Sequence, residues 1–300
     1  MYDLGTLGGD YSAAFGINNQ GQIVGESTTS SNVTHAFSFA NGVMSDLGTL
    51  GGDYSTAAAI NNGGVIVGTA ATSSTGTYGS EDHAFAFTTD GVMHDLGTLG
   101  GGFSYATAVS DNNVIVGTSA IGYGVEDVGR EFGFVFSGAS MQYLAALGGP
   151  GPPYNLVLPN CIDNSGQVAG SLTYSGTNLQ PVFVGFLYAS GTSIGFQADN
   201  ASTNAEGIND AGLVVGAALP PVPPGSSVAY AWICYGGVMI DLNTLVDLSG
   251  SNFSQLTDAA AISNTDYIVG TGTTKSGVSH AYLLTLIATP SALKRAVGVP

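Results

Sequence analysis

Two carboxylates, Glu206 and Asp258, are the residues of this sequence best suited to chemistry. Both lie in short stretches of small and apolar residues just before a turn, where repetition of the sequence predicts innermost β-strands. A carboxylate at such a place loses hydration unless it faces water, a cation or a ligand. Two of them on neighbouring strands could act as acid and base or bind a cation. We therefore take both as candidate catalytic and metal-binding residues; the alternative is a water-filled, hydrogen-bonded channel.

Other polar residues align with these carboxylates when the repeats are superimposed. Asn160 takes the place of Glu206 in its own repeat, and Tyr105 and Asn204 take the place of Asp258 in theirs. Amides and hydroxyls can donate and accept hydrogen bonds, which suits them to a polar ligand. These three are therefore candidate ligand-binding residues.

Residues that depart from the repeat supply the remaining candidates. Glu26 follows an Ile-Val-Gly step where the other repeats have Thr, Ser or Ala, and is a candidate catalytic residue. Its alternative role is that of a solvated carboxylate at a strand end. Two loops between predicted strands carry candidate ligand-binding residues: Tyr78, Glu81, Asp82, Tyr123, Asp127, Arg130 and Glu131. Arg130 is expected to pair with an acidic neighbour, and these exposed charges could equally serve solubility.

The elements that position these residues are visible as internal repeats. DLGTLGGDYSAAFGINN begins at Asp3, DLGTLGGDYSTAAAINN at Asp46 and DLGTLGGGFSYATAVSD at Asp95. An Ile-Val-Gly-like step recurs six times at intervals of 43–54 residues, with its glycine at Gly25, Gly68, Gly117, Gly170, Gly216 and Gly270. The repeats begin near residues 3, 46, 95, 143, 195 and 241 and together fill the chain.

Each repeat predicts four antiparallel strands. A small, apolar first strand such as 12–17 ends in a turn, and a short β-branched second strand follows at 22–25. The third strand is rich in aromatic residues, and an Asn-Gly or Asp-Gly turn leads to the fourth. Four such strands in 43–54 residues are the size of one propeller blade. The sequence thus predicts an all-β, six-bladed β-propeller over 1–289, closed by the N-terminal strand, with 290–300 as a tail.

Residue types that recur at one place in several repeats are predicted to be structural. The third-strand histidines His35, His83 and His280 lie on different blades and cannot converge on one metal. The aspartates of the Asp-Leu-Gly motifs are expected to bond backbone amides between strands. No repeat contains a DxDxDG calcium loop. No cofactor is predicted, and calcium is kept as the one candidate ion.

Composition excludes several classes of partner. The formal net charge is −17, with four Lys and Arg against 21 Asp and Glu, so no basic patch can bind a nucleic acid or an anionic membrane. No apolar run approaches the ~20 residues of a membrane span. Met1 is followed at once by repeat sequence, so no signal peptide is expected. The low content of Lys and Arg favours a trimmed, secreted or cell-surface protein. Cys161 and Cys234 fall on an inner and an outer strand, which argues against a disulfide.

The recurring DLGTLGG, IN-x-x-G, IVG and HAF elements resemble those of the bacterial extracellular HAF-repeat family. The match extends over essentially the whole chain and is sharpest at 35–37 and 83–85. It departs from the pattern at 132–134, 184–186 and 230–232, and returns as His280-Ala281-Tyr282. The resemblance implies a secreted or surface-attached repeat protein. It brings no established activity and no catalytic motif.

Three functions fit these observations. The leading interpretation is a non-catalytic binding propeller that holds a glycan or another polar ligand on its loop face, because tyrosines and Asn, Asp or Thr side chains suit sugar rings and hydroxyls. The alternative is a hydrolase or polysaccharide lyase that uses Glu206 and Asp258. A third is a structural surface module of a larger protein. The oligomeric state is not predicted.

Overall fold

The computed structural model of the chain describes residues 3–76, 79–122, 131–144, 154–175, 181–196, 202–219 and 229–286. These residues fall into two compact units, Met1–Leu144 and Ala145–Pro300. Almost all regular structure in the described ranges is β-strand, and the exception there is one 3₁₀ turn at Leu242–Thr244.

The unit Met1–Leu144 contains the first three repeats, each folded as four antiparallel strands paired in sequence order. The strands are β1 Gly8–Ile17, β2 Ile23–Thr29, β3 Thr34–Ala40, β4 Val43–Asp46, β5 Gly51–Ile60, β6 Ile66–Gly76, β7 Gly79–Phe87, β8 Met93–Asp95, β9 Ser104–Val109, β10 Ile115–Ala120, β11 Glu131–Ser137 and β12 Ser140–Tyr143.

The unit Ala145–Pro300 contains the other three repeats, again paired in sequence order. Its strands are β13 Tyr154–Ile162, β14 Val168–Ser175, β15 Pro181–Ala189, β16 Thr192–Phe196, β17 Ser202–Ile208, β18 Val214–Leu219, β19 Tyr230–Tyr235, β20 Val238–Asp241, β21 Phe253–Ile262, β22 Tyr267–Thr274 and β23 Ser279–Thr285.

The described residues show the predicted all-β, four-stranded repeats but not a clear six-bladed closed ring. The last sheet, β21–β23, has three strands within the described residues. Of the N-terminal segment predicted to complete it, Met1 and Tyr2 lie outside the described residues and Asp3 is not in a strand. Asp3 forms a turn instead, in which its Oδ1 accepts the N–H of Gly5 at 3.0 Å and Gly5 has a φ of +79°.

A bulge in the first strand explains the glycine of each Ile-Val-Gly step. Pairing between first and second strands shifts register there, for example between Ala57 and Ala59. The bulge pushes a first-strand carbonyl oxygen into the space that a Cβ would occupy, and this holds for all six glycines: Gly25, Gly68, Gly117, Gly170, Gly216 and Gly270. The recurrence of glycine is therefore a packing requirement of the bulge.

Neighbouring sheets within each unit pack by a repeated hydrophobic contact. The middle residue of the Ile-Val-Gly step shares a buried cluster with a small first-strand residue and a third-strand aromatic residue of the next sheet. Val24 clusters with Ala57 and Phe85 in this way. Val215 clusters with Ala259 and Tyr282 in the other unit. The same local pattern thus builds the core of both units.

A hydrogen bond accompanies this contact and explains the small middle residue of the HAF motif. The N–H of Ala36 donates to the Ser55 Oγ of the next sheet at 2.8 Å, and the N–H of Ala84 donates to Ser104 Oγ at 2.8 Å. Ala36, Ala84 and the two serines are fully buried, so a larger residue would not fit beside the serine hydroxyl.

The HAF histidines and the Asp-Leu-Gly aspartates pair with one another. Nδ1 of His35 lies 2.9 Å from Oδ2 of Asp46, and Nδ1 of His83 lies 2.9 Å from Oδ2 of Asp95. Asp46 also accepts the N–H of Gly48 at 2.8 Å. The aspartates therefore bind backbone amides as expected, but in their own turn and not between strands.

Candidate ligand-binding site

Three neighbouring first strands in Ala145–Pro300 carry four of the predicted site residues. Asn160 is on β13, Asn204 and Glu206 are on β17, and Asp258 is on β21. β17 contacts both β13 and β21, so residues more than 40 positions apart in the chain become neighbours. We call these four half-buried side chains the amide–carboxyl row.

Hydrogen bonds join the row from one strand to the next. Asn160 Nδ2 donates to Asn204 Oδ1 at 3.0 Å and to the carbonyl oxygen of Ala205 at 2.8 Å. Asn204 Nδ2 donates to Glu206 Oε1 at 2.9 Å. Alternate residues of a strand point to one side of the sheet, which is why Asn204 and Glu206 meet. The bonds fix the orientation of both amides and leave part of their hydrogen-bonding capacity for a ligand.

Glu206 and Asp258 form a carboxyl pair at one end of the row. Burial, the charge of Asp258 and a hydrogen bond to Asp258 raise the pKa of Glu206 to about 7, although the bond from Asn204 opposes this. Asp258 Oδ1 is buried and accepts no hydrogen bond from the described residues. A protonated Glu206 would supply a donor beside it. With its pKa of about 7, Glu206 carries that proton for part of the time at neutral pH.

Two ionisable side chains beside the pair stay neutral. Tyr282 Oη donates to the backbone oxygen of Asp258 at 2.8 Å, and burial with the charges of Asp258 and Glu206 raises the tyrosine's pKa above its usual range. Burial also raises the pKa of the Cys161 thiol to about 12, so this cysteine is not a nucleophile at neutral pH. Sequence analysis did not identify Tyr282 as a candidate site residue. The available indication was that a tyrosine replaces the phenylalanine of the HAF motif there.

The unit Met1–Leu144 brings together a second set of side chains, which we call the tyrosine–carboxylate cluster: Tyr11, Glu26, Tyr54, Asp82, Tyr105 and Glu131. Tyr11 Oη donates to Glu26 Oε1 at 3.4 Å. Burial raises the pKa of Tyr54, and the charges of Glu26 and Asp82 raise it further. Burial, Asp82 and Glu131 likewise raise the pKa of Tyr105. Each tyrosine thus lies close to at least one carboxylate.

The aromatic rings of the cluster are accessible to a ligand. Tyr11 is 49% exposed and Tyr54 is 36% exposed. Tyr105 packs against Phe103 with ring centroids 5.3 Å apart. Burial raises the pKa of Asp82 and of Glu131, which shows that these carboxylates are partly shielded from water. The cluster offers ring faces beside hydrogen-bond acceptors.

Sequence reasoning missed Tyr11 and Tyr54 because it treated repeated residues as scaffold. Both occupy the same place in the Asp-Tyr-Ser motif, and Phe103 stands there in the third repeat. The available signal was an aromatic residue in a repeat position that faces solvent. In contrast, Glu26, Asp82, Tyr105 and Glu131 were predicted separately, and the structure brings them together.

Four predicted residues, Tyr78, Tyr123, Asp127 and Arg130, lie outside the described residues, so the expected pairing of Arg130 stays a prediction. Glu81 is on β7 beside Asp82. The hydrogen bond to Asp95 raises the pKa of His83, and the charges of Glu81 and Asp82 add to that effect. Glu81 therefore acts on a structural histidine.

Neither set brings three potential metal ligands close together. Within the described ranges, no three His, Cys, Asp or Glu side chains lie close enough together to hold a metal ion. Cys161 and Cys234 are both free thiols. The part of the chain that the structure describes also contains no helix that is long and apolar enough to cross a membrane.

Comparison with known proteins identifies the fold but no family. No family model matches the chain, and no curated protein does. Among solved structures, the chain is similar to the β-propeller domain of the Trilobed protease from Pyrococcus furiosus, a domain described as having an open velcro topology. The TM-score is 0.57 at 10% identity, over 91% of this chain and 80% of that chain. At this identity the likeness shows the fold alone: the chain has an all-β propeller fold.

Proposed function

We propose that this chain is a secreted binding propeller that recognises a hydroxyl-rich ligand, such as a glycan, at the amide–carboxyl row. One observation carries the proposal. Three half-buried polar side chains on β13 and β17 are joined by hydrogen bonds of 2.9–3.0 Å, and Asp258 on β21 adds a buried carboxylate oxygen that has no partner among the described residues.

The chemistry of the row suits sugar hydroxyls, because each hydroxyl donates one hydrogen bond and accepts others. Asn160 Oδ1 accepts no bond from the described residues, and Asn204 Nδ2 has one N–H beyond the one it gives to Glu206. The carboxyl pair adds strong acceptors. Anionic ligands are disfavoured because Lys275, the one Lys or Arg that the structure describes, donates its ammonium group to backbone oxygens of Ser249 and Ser251.

Hydrolysis or elimination of a polysaccharide is the second candidate function, and the pKa of Glu206 favours it. A carboxyl group with a pKa of about 7 can act as a general acid near neutral pH, and Asp258 is the second carboxyl group beside it. Binding and turnover make different demands on Glu206, so one set of variants separates the two functions.

The test is binding of labelled protein to a broad glycan and polysaccharide array, followed by titration calorimetry on the strongest hit. Wild type is compared with Asn204→Ala, Glu206→Gln and, as a matched control, Thr192→Ala on the exposed strand β16. We expect Asn204→Ala to weaken binding at least tenfold, because it removes both bonds that order the row. Glu206→Gln should bind within a few-fold of wild type, since an amide can keep the bond to Asp258.

The same array hit is then tested for turnover by reducing-end assay. A binding protein gives no products with any variant. Products that disappear in Glu206→Gln while binding persists would establish the hydrolase or lyase function in its place. Equal binding by wild type and Asn204→Ala would show that the row is not the site. Repeating the titration with calcium and with EDTA tests whether the carboxyl pair binds a cation, and detection in culture medium tests secretion.

A further inference from the structure

Rings and carboxylates of the tyrosine–carboxylate cluster alternate across three successive repeats. Glu26 is on β2 of the first repeat, Tyr54 and Asp82 are on β5 and β7 of the second, and Tyr105 and Glu131 are on β9 and β11 of the third. β5 contacts both β2 and β9, and β7 contacts β9. Side chains from three repeats therefore become neighbours within one unit.

Strand register places two of the carboxylates at equivalent positions. Asp82 pairs with Ala71 and Glu131 pairs with Ala120, and both alanines come three residues after the glycine of an Ile-Val-Gly step. Neighbouring sheets pack about 10 Å apart, so these two carboxylates are separated by roughly that distance. The same end of each repeat thus carries a carboxylate in the second and the third repeat.

Each of two tyrosines is flanked by two carboxylates. Burial raises the pKa of Tyr54, and the charges of Glu26 and Asp82 raise it further. Burial is also the main cause of the raised pKa of Tyr105, followed by the charges of Asp82 and Glu131. Asp82 is common to both tyrosines. It therefore lies at the centre of the cluster, with a ring on either side.

No cationic side chain in the described part of this unit balances the charge. The described residues of Met1–Leu144 include no Lys or Arg. His83 follows Asp82 in the sequence, but its Nδ1 lies 2.9 Å from Oδ2 of Asp95. None of the three carboxylates of the cluster forms an ion pair with another residue that the structure describes. Their charge is therefore available to a ligand.

The chemistry of the cluster favours a cation over a sugar or a peptide. A carboxylate only accepts hydrogen bonds, and an ammonium group only donates them. The face of a tyrosine ring also attracts a cation, and Tyr54 is 36% exposed. A sugar or a peptide needs donors as well as acceptors, yet the Tyr11 hydroxyl already donates to Glu26. The rings between the carboxylates add apolar surface for a methylene chain.

We propose that the tyrosine–carboxylate cluster binds a small linear amine that carries two or more ammonium groups. One ammonium group binds at Asp82 and another at a neighbouring carboxylate, and the methylene chain lies against Tyr54 and Tyr105. A single metal ion is a poorer match, since no three metal-ligating side chains lie close together among the described residues. This binding does not depend on the amide–carboxyl row, which belongs to the other unit.

The first experiment measures binding of spermidine to the full chain by titration calorimetry at constant ionic strength. Hexamethylenediamine and hexanediol form a matched pair of probes, because they have the same length and differ in charge. We expect spermidine and the diamine to bind and the diol not to bind. Equal binding of diol and diamine, or binding of neither amine, would overturn the proposal. So would tighter binding of tetralysine than of spermidine, because the ligand would then be a basic peptide.

The second experiment locates the amine. Asp82→Asn should weaken spermidine binding about tenfold, because it removes the carboxylate between the two rings. Asp90→Asn is the matched control, since it removes the same charge from the turn that follows β7 and should change the affinity less than about twofold. Equal losses in these two variants would show that net charge alone attracts the amine, and the proposed site would be wrong.

Two further variants test the ring and the independence from the row. Tyr54→Leu should weaken spermidine binding about threefold, whereas Tyr54→Phe keeps the ring and should bind almost as wild type does. This pair also serves if Asp82→Asn fails to fold by circular dichroism, and equal affinities of the two would contradict a role for the ring. Glu206→Gln should leave spermidine binding unchanged. Loss of binding in that variant would place the amine at the row instead.

Discussion

The amide–carboxyl row and the tyrosine–carboxylate cluster are both carried by strands of the repeats, but they differ in how their side chains are held. In the row, Asn204 bonds to Asn160 and to Glu206, so the polar groups orient each other. In the cluster, Tyr11 and Glu26 are joined by a longer bond of 3.4 Å, and the rings of Tyr11 and Tyr54 are exposed. The row is therefore preorganised for a specific ligand, whereas the cluster offers ring surface and charge.

The difference shows how a repeat protein varies its chemistry at constant backbone. The Ile-Val-Gly bulge and the sheet-to-sheet contact are the same in both units. First-strand positions next to the bulge carry Ala13 and Phe15 in one repeat but Asn204 and Glu206 in another. Exchange of two side chains per repeat converts an apolar surface into a polar site, because the backbone that presents them does not change.

The largest effect should come from breaking the scaffold that both regions share. Gly216→Ala would place a Cβ against the carbonyl oxygen of Asn204 and 2.7 Å from Cζ2 of Trp232. We expect a loss of about 3 kcal/mol in the free energy of unfolding, measured by urea denaturation, because neither neighbour can move freely. Gly68→Ala should cost a similar amount in the other unit.

Gly250→Ala is the control for both glycine variants, since no atom lies within 4 Å of its added Cβ. It should change stability by less than about 0.5 kcal/mol. If Gly216→Ala is as mild as Gly250→Ala, the bulge is not a shared requirement and the comparison between the two regions loses its basis.

The next effect concerns pH and the carboxyl pair. The raised pKa of Glu206 means that the folded state binds the proton more tightly than the unfolded state. Stability should therefore be greatest below the ordinary pKa of ~4.5 and should fall as the pH rises toward 7. Glu206→Gln removes this titration. It should be more stable than wild type by about 1–2 kcal/mol at pH 8, after allowance for solvent screening.

Glu131→Gln sharpens this test by making the same change in the cluster. Burial raises the pKa of Glu131, but no second carboxylate contributes. Glu131→Gln should therefore also raise the free energy of unfolding at pH 8, but by less than Glu206→Gln does. Equal pH dependence for the two variants would contradict a special coupling between Glu206 and Asp258.

A smaller effect is expected at the pair formed by His83 and Asp95. The hydrogen bond that His83 donates to Asp95 raises the pKa of His83, so the stability that the pair contributes is complete below the ordinary pKa of ~6.5 and is lost as the pH rises through the raised value. His83→Ala should cost about 0.5–1 kcal/mol at pH 6 and less at pH 8.5. His94→Ala, which breaks a more exposed pair with Asp90, should have almost no effect in the same thermal melts.

The smallest effect is expected for single rings of the cluster. Tyr54→Ala should weaken binding of a polysaccharide by no more than about threefold by calorimetry, because its partly exposed ring contributes contact area but no hydrogen bond of the row. A larger loss than that caused by Asn204→Ala would reverse the ranking of the two regions and make the cluster the principal site.

The sequence by itself determined the strands, the turns and the repeated packing. Hairpin partners are close in the chain, and glycine, asparagine and alternation fix their register locally. Five of the six repeats accordingly have four strands, as predicted. Glu206 and Asp258 could also be identified, since a charged residue is unusual in a strand of small and apolar residues.

Only the tertiary structure decided which of those residues meet. The bond between Asn160 and Asn204 spans 44 residues and depends on how β13 and β17 stack, which no local pattern encodes. Exposure of Tyr11 and Tyr54 likewise depends on how the residues around them pack. Repetition in the sequence makes all repeats look equivalent, and the contacts that distinguish Asn204 from its counterparts exist only once neighbouring strands have stacked.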